Sequence, residues 1–480
     1  MFRFIFQIVI IVSLVSGCIR YIPRPMDPPA LEQSYRNRSL SDSNLQAFFN
    51  ANSLARPQSW PPESLDLEGL TVLALYFSPN FDEARSQIAA AEAAIATARA
   101  RPNPSVVAGA GYTDAEQSPY AFRFDLEIPF ETAGKRQYRI RRAEELTEAS
   151  RFSLGETAWH VRSGLRAALA DHLISSLELQ QRTAEAQIRQ EIVGIYERRL
   201  EVGETSTPFV TAARTDLSRV QLEIEQLQGR IAATRAGIGG IIGLPAAALE
   251  NVQFALAELE KPPTEEALNI QSIQKTGLMN RLDVQRLLAE YAAADSDLRL
   301  QVARQYPDIS LAPAYSFGEG ANSYLLGPGL ALPLFNRNRG PIAEADAHRE
   351  TAGARFLGAQ ASAIAQIERG LADYRSALRE LGQAQATLDL VRQRAQTTER
   401  QLNAGEVDRL AVVSVRLEAA AADRERLIAL RRSHGALGAL EDGVQHPLPA
   451  GTSMPVSPPT NPRDRGDRLR VERRADRPQP

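Results

Sequence analysis

Tyr120-Ala121-Phe122-Arg123-Phe124-Asp125-Leu126-Glu127-Ile128 sets an apolar residue at every second position, with Ala121, Arg123, Asp125 and Glu127 between them. That period belongs to a strand with one apolar and one polar face. Its length, about nine residues, is what a tilted strand needs to cross a bilayer. Upstream, Ser105–Thr113 is a weaker partner built on Val107, Gly109 and Gly111, and Asp114–Pro119 supplies the turn. The pattern returns in the second half of the chain. Ile309, Leu311, Tyr315 and Phe317 alternate with Asp308, Ser310, Ala312, Ala314 and Ser316. Gly318–Asn322 reads as the loop, and the return strand sets Tyr324, Leu326, Leu330 and Leu332 on one face.

Working outward from these hairpins, the chain is written twice. Arg299–Ala347 retells Ala98–Ala143. Each copy puts a proline before its first strand (Pro104, Pro307) and closes its second on Leu126–Pro129 or Leu332–Pro333. Each reopens through a basic junction, Gly134-Lys135-Arg136 or Asn336-Arg337-Asn338-Arg339-Gly340. A period of about 200 residues is too long for a solenoid and reads as two similar halves of one architecture. Proline-free helices follow, Lys135–Leu200 and Ile342–Leu402. At about 1.5 Å per residue the first spans nearly 100 Å. Short glycine turns end both, Val202-Gly203-Glu204-Thr205-Ser206-Thr207-Pro208 and Asn403-Ala404-Gly405-Glu406-Val407-Asp408, with Ser206 or Thr207 and Asp408 placed to cap the returning helices Phe209–Ile242 and Arg409–Leu440. Each pair is expected to form an antiparallel coiled-coil hairpin, and runs such as Ala167, Ala168, Ala170 and Ala419 to Ala422 permit close approach.

A half-buried soluble sheet is the alternative reading of the hairpins. Both, however, are flanked by long helices with no further strands to join, and a lone hairpin is marginal in water. Four strands cannot close a barrel, since single chains need about eight. Three copies would supply roughly 12, enough to leave a lumen.

The start of the chain carries an address. Arg3, the apolar run Phe4–Val15 and small residues form a secretory signal. Val15-Ser16-Gly17-Cys18 resembles the bacterial lipobox, in which the cysteine is lipidated; a free thiol beyond an ordinary cleavage site is the alternative. Ile19, rather than Asp, follows the cysteine, which among such lipoproteins favours the outer membrane. Cys18 is the single cysteine, so no internal disulfide is expected. No later stretch approaches 18 uninterrupted apolar residues, so a membrane crossing must use strands. A net charge of -3 from 55 basic and 58 acidic residues argues against a nucleic-acid partner.

The expected organisation follows in chain order. Residues 1–17 are the signal peptide and 18–64 an extended or irregular arm with one short helix near Ser43–Asn52. Residues 65–243 are the first repeat: helices split at Pro79, a β-hairpin at 104–129 and a helical hairpin at 135–242. Residues 244–264 link the halves. Residues 265–443 are the second repeat, with a β-hairpin at 307–333 and a helical hairpin at 341–440. Residues 444–480 are a Pro/Arg-rich tail expected to be disordered. The fold class is mainly α with a membrane β-barrel contribution.

Catalytic constellations are missing from the sequence. His160 and His172 lie far apart on one helix, and His348, His434 and His446 have no Asp or Ser partner at useful spacing. Glu144-Glu145 and Glu265-Glu266 are helix-face neighbours that do not converge on one site. Gly237-x-Gly239-Gly240-x-x-Gly243 imitates a dinucleotide loop but ends a helix instead of following a strand. No Cys/His cluster has metal-ligand spacing, and no cofactor, catalytic residue or metal ligand is expected.

The order of elements, the doubling and the lipobox resemble the outer-membrane efflux channels of the TolC family over roughly Leu65–Gly443. Pro129-Phe130-Glu131-Thr132-Ala133-Gly134-Lys135-Arg136 and Leu334-Phe335-Asn336-Arg337-Asn338-Arg339-Gly340 look like its CzcC/CusC-like heavy-metal-exporter branch. The resemblance implies a homotrimer, a 12-stranded β-barrel facing outer-membrane lipid and an α-barrel reaching into the periplasm. It also implies a periplasmic adaptor, an inner-membrane RND-type or similar pump, and no enzymatic activity. Adaptor contact would fall on Val202, Gly203, Glu204, Thr205 and Ser206, and on Ala404, Gly405, Glu406, Val407 and Asp408. The second turn departs from the family pattern, with Ala404 for Val and Asp408 for a hydroxyl. The acidic residues that close the tunnel in some members have no counterpart, since the matching helix shows Ala411 and Ser414. Lipid would face Tyr120, Phe122, Phe124, Leu126, Ile128, Tyr324 and Leu326. A lipid-anchored periplasmic coiled-coil scaffold without pore activity is the alternative function.

Overall fold

The computed structural model describes residues 21–53, 57, 59–112, 114, 119–256, 259–268 and 280–448. The signal peptide, Cys18 and the tail from residue 449 onward therefore lie outside the described residues. Helices α1 (Pro28–Arg36) and α2 (Ser43–Asn52) lead through β1 (Ser64–Leu65) to α3 (Leu67–Phe77) and α4 (Pro79–Arg99). Strands β2 (Ser105–Tyr112) and β3 (Tyr120–Phe130) follow, then α5 (Lys135–Glu201), α6 (Thr207–Ile242) and β4 (Gln253–Phe254). The second half runs α7 (Leu282–Ala303), β5 (Ile309–Gly318), β6 (Ala321–Leu330), α8 (Arg339–Asn403) and α9 (Arg409–Val444). The α4-β2-β3-α5-α6 unit and the α7-β5-β6-α8-α9 unit are the duplicated halves.

The two hairpins join each other. The sheet order is β2-β3-β5-β6, antiparallel throughout, with β3 against β5 at its centre. The second hairpin closes more tightly than its sequence suggests. Gly318 pairs with Ala321, so Asn322 is in the strand and the loop is Glu319-Gly320 alone. Both loop residues have positive φ, the turn whose twist suits a two-residue hairpin.

The helices pack side by side along their length. α5 and α6 form one hairpin and α8 and α9 the other, while α5 also packs on α4, α7 and α9. The main apolar core lies about 40 Å along α5 from the sheet, around Leu154, Val161, Leu165 and Leu169. At its centre is α3, apolar on every face and buried from Gly69 to Phe77. Such a helix must be wrapped on all sides. Each large side chain buried this way contributes about 1.5–3 kcal/mol.

The wrapping comes from segments expected to be arm and linker. The arm is not extended. It carries α1 as well as α2, with Asp27 as N-cap and Pro28 at the first turn, and it places Leu40, Leu45, Phe48 and Phe49 in the core. Residues 244–264 form a short 3₁₀ turn at Ala246–Leu249 and a parallel pairing of β4 with β1, and they bury Leu244, Leu249 and Val252. Arg38 fastens these layers, its Nη1 donating to the Phe77 and Gly243 carbonyls at 3.0 and 2.7 Å. Two of the glycines that imitate a nucleotide loop, Gly239 and Gly243, serve this packing. Gly243 ends α6 at φ +89°, and a Cβ there would lie 2.7 Å from the Phe77 carbonyl oxygen.

At the same level Glu441 of α9 meets Arg166 Nε at 3.0 Å and Arg162 Nη1 at 3.6 Å, with all three buried. Trp159 Nε1 donates to Asp442 at 2.9 Å. The second half continues past the expected boundary: α9 runs to Val444, and the Leu448 amide donates to Glu441 at 2.9 Å.

Gly243→Ala should destabilise the chain by about 1–3 kcal/mol, because it forces a side chain into a left-handed backbone against a carbonyl. Gly237→Ala, in open space on the same helix, should be neutral or stabilising by up to about 1 kcal/mol. Equal shifts in denaturant midpoint for the two variants would contradict this packing account.

Candidate functional site

Register decides which side chains share a face of the sheet. Ala110 pairs with Phe122 and Phe122 with Phe317; Phe124 pairs with Tyr315 and Tyr315 with Tyr324; Ile128 pairs with Leu311. Pro313 pairs with Leu326 and Ile309 with Leu330. Directly opposed residues of antiparallel strands point to the same side. The register therefore brings Tyr120, Phe122, Phe124, Leu126, Ile128, Tyr324 and Leu326 onto one continuous apolar face. Aromatic rings run across it, with Tyr315 and Tyr324 at 5.3 Å and Phe122 and Phe317 at 6.5 Å between centroids. Most of it is exposed, Tyr324 at 81% and Leu326 at 68%; Leu126 and Ile128 are half-buried.

The opposite face is mostly small and polar: Ser310, Ala312, Ala314 and Ser316, Gly109 and Gly111, Ser323 and Gly327, with the strand charges Arg123, Asp125 and Glu127; Val107 and Leu325 are its large apolar members. Arg123 and Asp125 pair at 2.6 Å. The outer edges of β2 and β6 have no strand beside them among the described residues. The sheet thus has two dissimilar faces and two open edges.

A rigid joint connects sheet to helices. Lys135 Nζ, buried at the start of α5, donates to the Tyr306 carbonyl at 2.6 Å and to Asp308 at 2.7 Å, and the Thr132 amide donates to Asp308 at 2.9 Å. Arg139 grips Glu131 through two hydrogen bonds. Burial pushes the Asp308 carboxyl up, but the Lys135 ammonium and the Thr132 amide outweigh it and hold the group below its ordinary value.

The far ends of the helical hairpins are two turns of like construction. Val202 and Ala404 are C-caps, and Gly203 (φ +79°) and Gly405 (φ +77°) take the left-handed position. The Glu204 amide donates to Arg199 and the Glu406 amide to Gln401, closing both helix ends. Val202, Glu204, Ser206, Ala404, Glu406 and Asp408 are exposed, while Thr205 and Val407 are half-buried. The two turns differ in capping. Asp408 accepts from the Ala411 amide at 2.8 Å, whereas Ser206 occupies the N-cap without a side-chain bond and Thr207 is already helical.

Sequence reasoning did not find the ion pairs that tie these ends together. Arg199, at the end of α5, binds Asp408 at 2.6 Å, and Arg409 and Arg416 of α9 bridge Glu191 of α5 and Glu399 of α8. The partners in the first pair stand 209 positions apart, so no local pattern marks them. The Ala411 amide, then the Arg199 guanidinium, hold the Asp408 carboxyl below its ordinary value.

Two histidines, His172 and His434, are buried in the helical packing, whereas His160, His348 and His446 are exposed. His172 is buried, bonded to Thr234 at 2.9 Å and edge-on to Phe254; burial, then Arg235, hold its pKa down. Among the described residues no three His, Cys, Asp or Glu side chains are grouped to hold a metal ion, and no helix is long and apolar enough to cross a membrane.

The family described as outer membrane efflux protein matches residues 70–244 and 275–441 of this chain. The cobalt-zinc-cadmium resistance protein CzcC of Cupriavidus metallidurans is 27% identical over 299 residues, covering 61% of this chain and 69% of the relative. The pyoverdine export outer membrane protein OpmQ of Pseudomonas aeruginosa is 26% identical over 476 residues, covering 90% of this chain and 97% of the relative. The solved outer membrane protein VceC of Vibrio cholerae superposes with a TM-score of 0.64 at 18% identity, over 79% of this chain and 96% of that one.

Because the folded pKa of Asp408 is depressed, its contribution is present above the unfolded value and is lost as pH falls through the folded one. Acidification below the ordinary carboxylate range should therefore lower hydrogen-exchange protection at the start of α9. Asp408→Asn should flatten that pH dependence. An unchanged acid response in the variant would assign the effect to another group.

Proposed function

This chain belongs to the outer membrane efflux protein family and is thereby an outer-membrane efflux channel; on that premise we propose that it is the passive exit duct of a tripartite system. The carrying observation is the sheet, with an apolar face, a polar face and two open edges. The outer edges of β2 and β6 can pair between copies, and three copies would join twelve strands into one closed wall. Closure is the one way a sheet can cross hydrocarbon with all backbone groups bonded. The apolar side, with Phe124 and Tyr324, would face lipid, and the serine- and glycine-rich side would line the lumen.

The helices extend this duct through the periplasm for roughly 100 Å, the length of α5 at 1.5 Å per residue. Their turns at Gly203 and Gly405 would meet a periplasmic adaptor, and an inner-membrane pump would supply the energy. Cys18 would carry the lipid anchor. The cargo proposed is metal cations or small toxic compounds; among the relatives, CzcC is a cobalt-zinc-cadmium resistance protein and OpmQ a pyoverdine export protein. Specificity would reside in the pump, with the duct a coarse filter.

The purified lipoprotein should form heat-modifiable, detergent-requiring trimers with single-channel conductance in planar bilayers. A monomer that stays soluble without detergent and electrically silent would support the scaffold reading instead. Phe124→Lys or Tyr324→Lys should cost about 2–4 kcal/mol near the bilayer midplane and impair trimer assembly, whereas Ser316→Lys on the opposite face should assemble. Cys18→Ser should remove the acyl mass from the mature protein; an unchanged mass would dismiss lipidation.

A further inference from the structure

The two halves repeat the same strand-to-helix junction but treat its cations differently. In the first half every cation nearest the junction is engaged inside the chain. Lys135 binds the Tyr306 carbonyl and Asp308, Arg136 donates to the Arg99 carbonyl at 2.8 Å, and Arg139 grips Glu131. In the second half Arg337 and Arg339 are exposed and make no ion pair or side-chain hydrogen bond among the described residues. Immediately before them stand three exposed apolar side chains, Leu332 at 64%, Leu334 at 68% and Phe335 at 102%. These follow Leu330, the last residue of the apolar face.

Apolar groups followed directly by guanidinium groups at the margin of a lipid-facing surface match the layering of a membrane interface. The apolar groups enter the acyl region, and the guanidiniums reach the phosphates beside it. Arginine suits that role because its planar fork binds phosphate in a bidentate manner. The junction is at the helix-bearing end of the sheet, opposite the Glu319-Gly320 turn, so it would sit at the periplasmic leaflet.

Electrostatics argue against a second copy as the occupant. The neighbouring edge would be β2, whose lead-in Arg101-Pro102-Asn103-Pro104 adds a cation and no acid. Of the nearby acids, Glu131 and Asp308 are already engaged, and Glu127, opposite Ser105, lies on the polar face away from the apolar margin. Two guanidiniums beside such an edge would meet a third and call for an anion.

We infer that the segment from Leu332 to Arg339 is a docking surface for anionic phospholipid, with Arg337 and Arg339 on the headgroup phosphates and Phe335 among the acyl chains. The inference rests on the outer-membrane reading above. It is tested on the full-length trimer in neutral detergent, titrated with dioleoylphosphatidylglycerol or dioleoylphosphatidylcholine while bound lipids are counted by native mass spectrometry. Arg392→Gln, an exposed arginine far along α8, serves as the control. Wild type and control should retain phosphatidylglycerol preferentially. Arg337→Gln combined with Arg339→Gln should weaken that retention on the order of 30-fold at low ionic strength, about fivefold for each surface charge, with conductance unchanged.

Three results would overturn the inference: a preference that survives the double substitution, no preference in wild type, or displacement of the lipid by equimolar inorganic phosphate. Trimers that fall apart in both lipids on double substitution would also overturn it, by placing the arginines at a subunit contact. Intact pores without lipid preference would sink this inference alone, whereas wild-type protein without pores would sink the reading beneath it.

Discussion

A sheet with open edges and one apolar face is incomplete in every solvent, and this constraint governs the molecule. In water the face around Phe122, Phe124 and Tyr324 leaves a contiguous row of large apolar side chains exposed, the mark of a surface meant to be covered. In hydrocarbon each unpaired N–H or C=O along the edges of β2 and β6 would cost several kcal/mol. Only a structure that closes the edges while leaving the apolar face outward satisfies both demands. The chain's own helices cannot do this, because α4, α5, α7 and α8 all leave the same end of the sheet and bury their apolar sides on one another. The pressure to oligomerise is therefore built into the strand pattern.

A closed wall is useful only if its direction is fixed relative to the helices, and the joint at Lys135, Asp308, Glu131 and Arg139 fixes it. These groups come from both halves, so the hairpins are held as one sheet. Farther down, Glu441 binds Arg162 and Arg166 across the halves, and Gly438 leaves room for the second guanidinium, since a Cβ there would overlap Arg166 Nη2. A buried arrangement of this kind is poor evidence for net stability, because desolvation offsets much of the Coulomb gain. Its consequence is register: α9 can slide along α5 only by stripping Glu441 of its partners. The tie of Arg199 to Asp408 repeats the same logic at the turns, where exposure makes it weaker and easier to undo.

Much of this was legible because the relevant signals are periodic and local. Alternation at Tyr120–Ile128, proline-free helical runs and left-handed glycines at 203 and 405 each follow from a few adjacent residues. Pairing between the hairpins was not legible, because β3 and β5 lie far apart in sequence and nothing in either strand names its neighbour. The arm was misread for a different reason. Its prolines and asparagines look irregular, yet Asp27-Pro28-Pro29 is also a helix start, and Phe48 and Phe49 find partners only once α3 is present. The fully apolar α3 could have signalled this, since a helix without a polar face requires a wrapping that the long helices alone do not supply. The ties at Glu441 and Asp408 were hidden for the same reason as the strand pairing: they join the two halves across the whole repeat.

The polar face suits a conduit better than a receptor. Passage requires that contacts with the cargo be favourable enough to admit it and weak enough to release it. Ser310, Ser316 and Ser323 offer scattered single hydrogen bonds instead of a converging set, and the glycines of β2 and β6 add no side-chain group. Arg123 and Asp125 neutralise one another on that face, which leaves Glu127 as the strand charge without an ion-pair partner among the described residues. One carboxylate per chain biases the ion population within a Debye length of about 8 Å without a converging set to hold any ion. A wall of this kind offers discrimination by sign and size and no converging set of groups for recognition by identity.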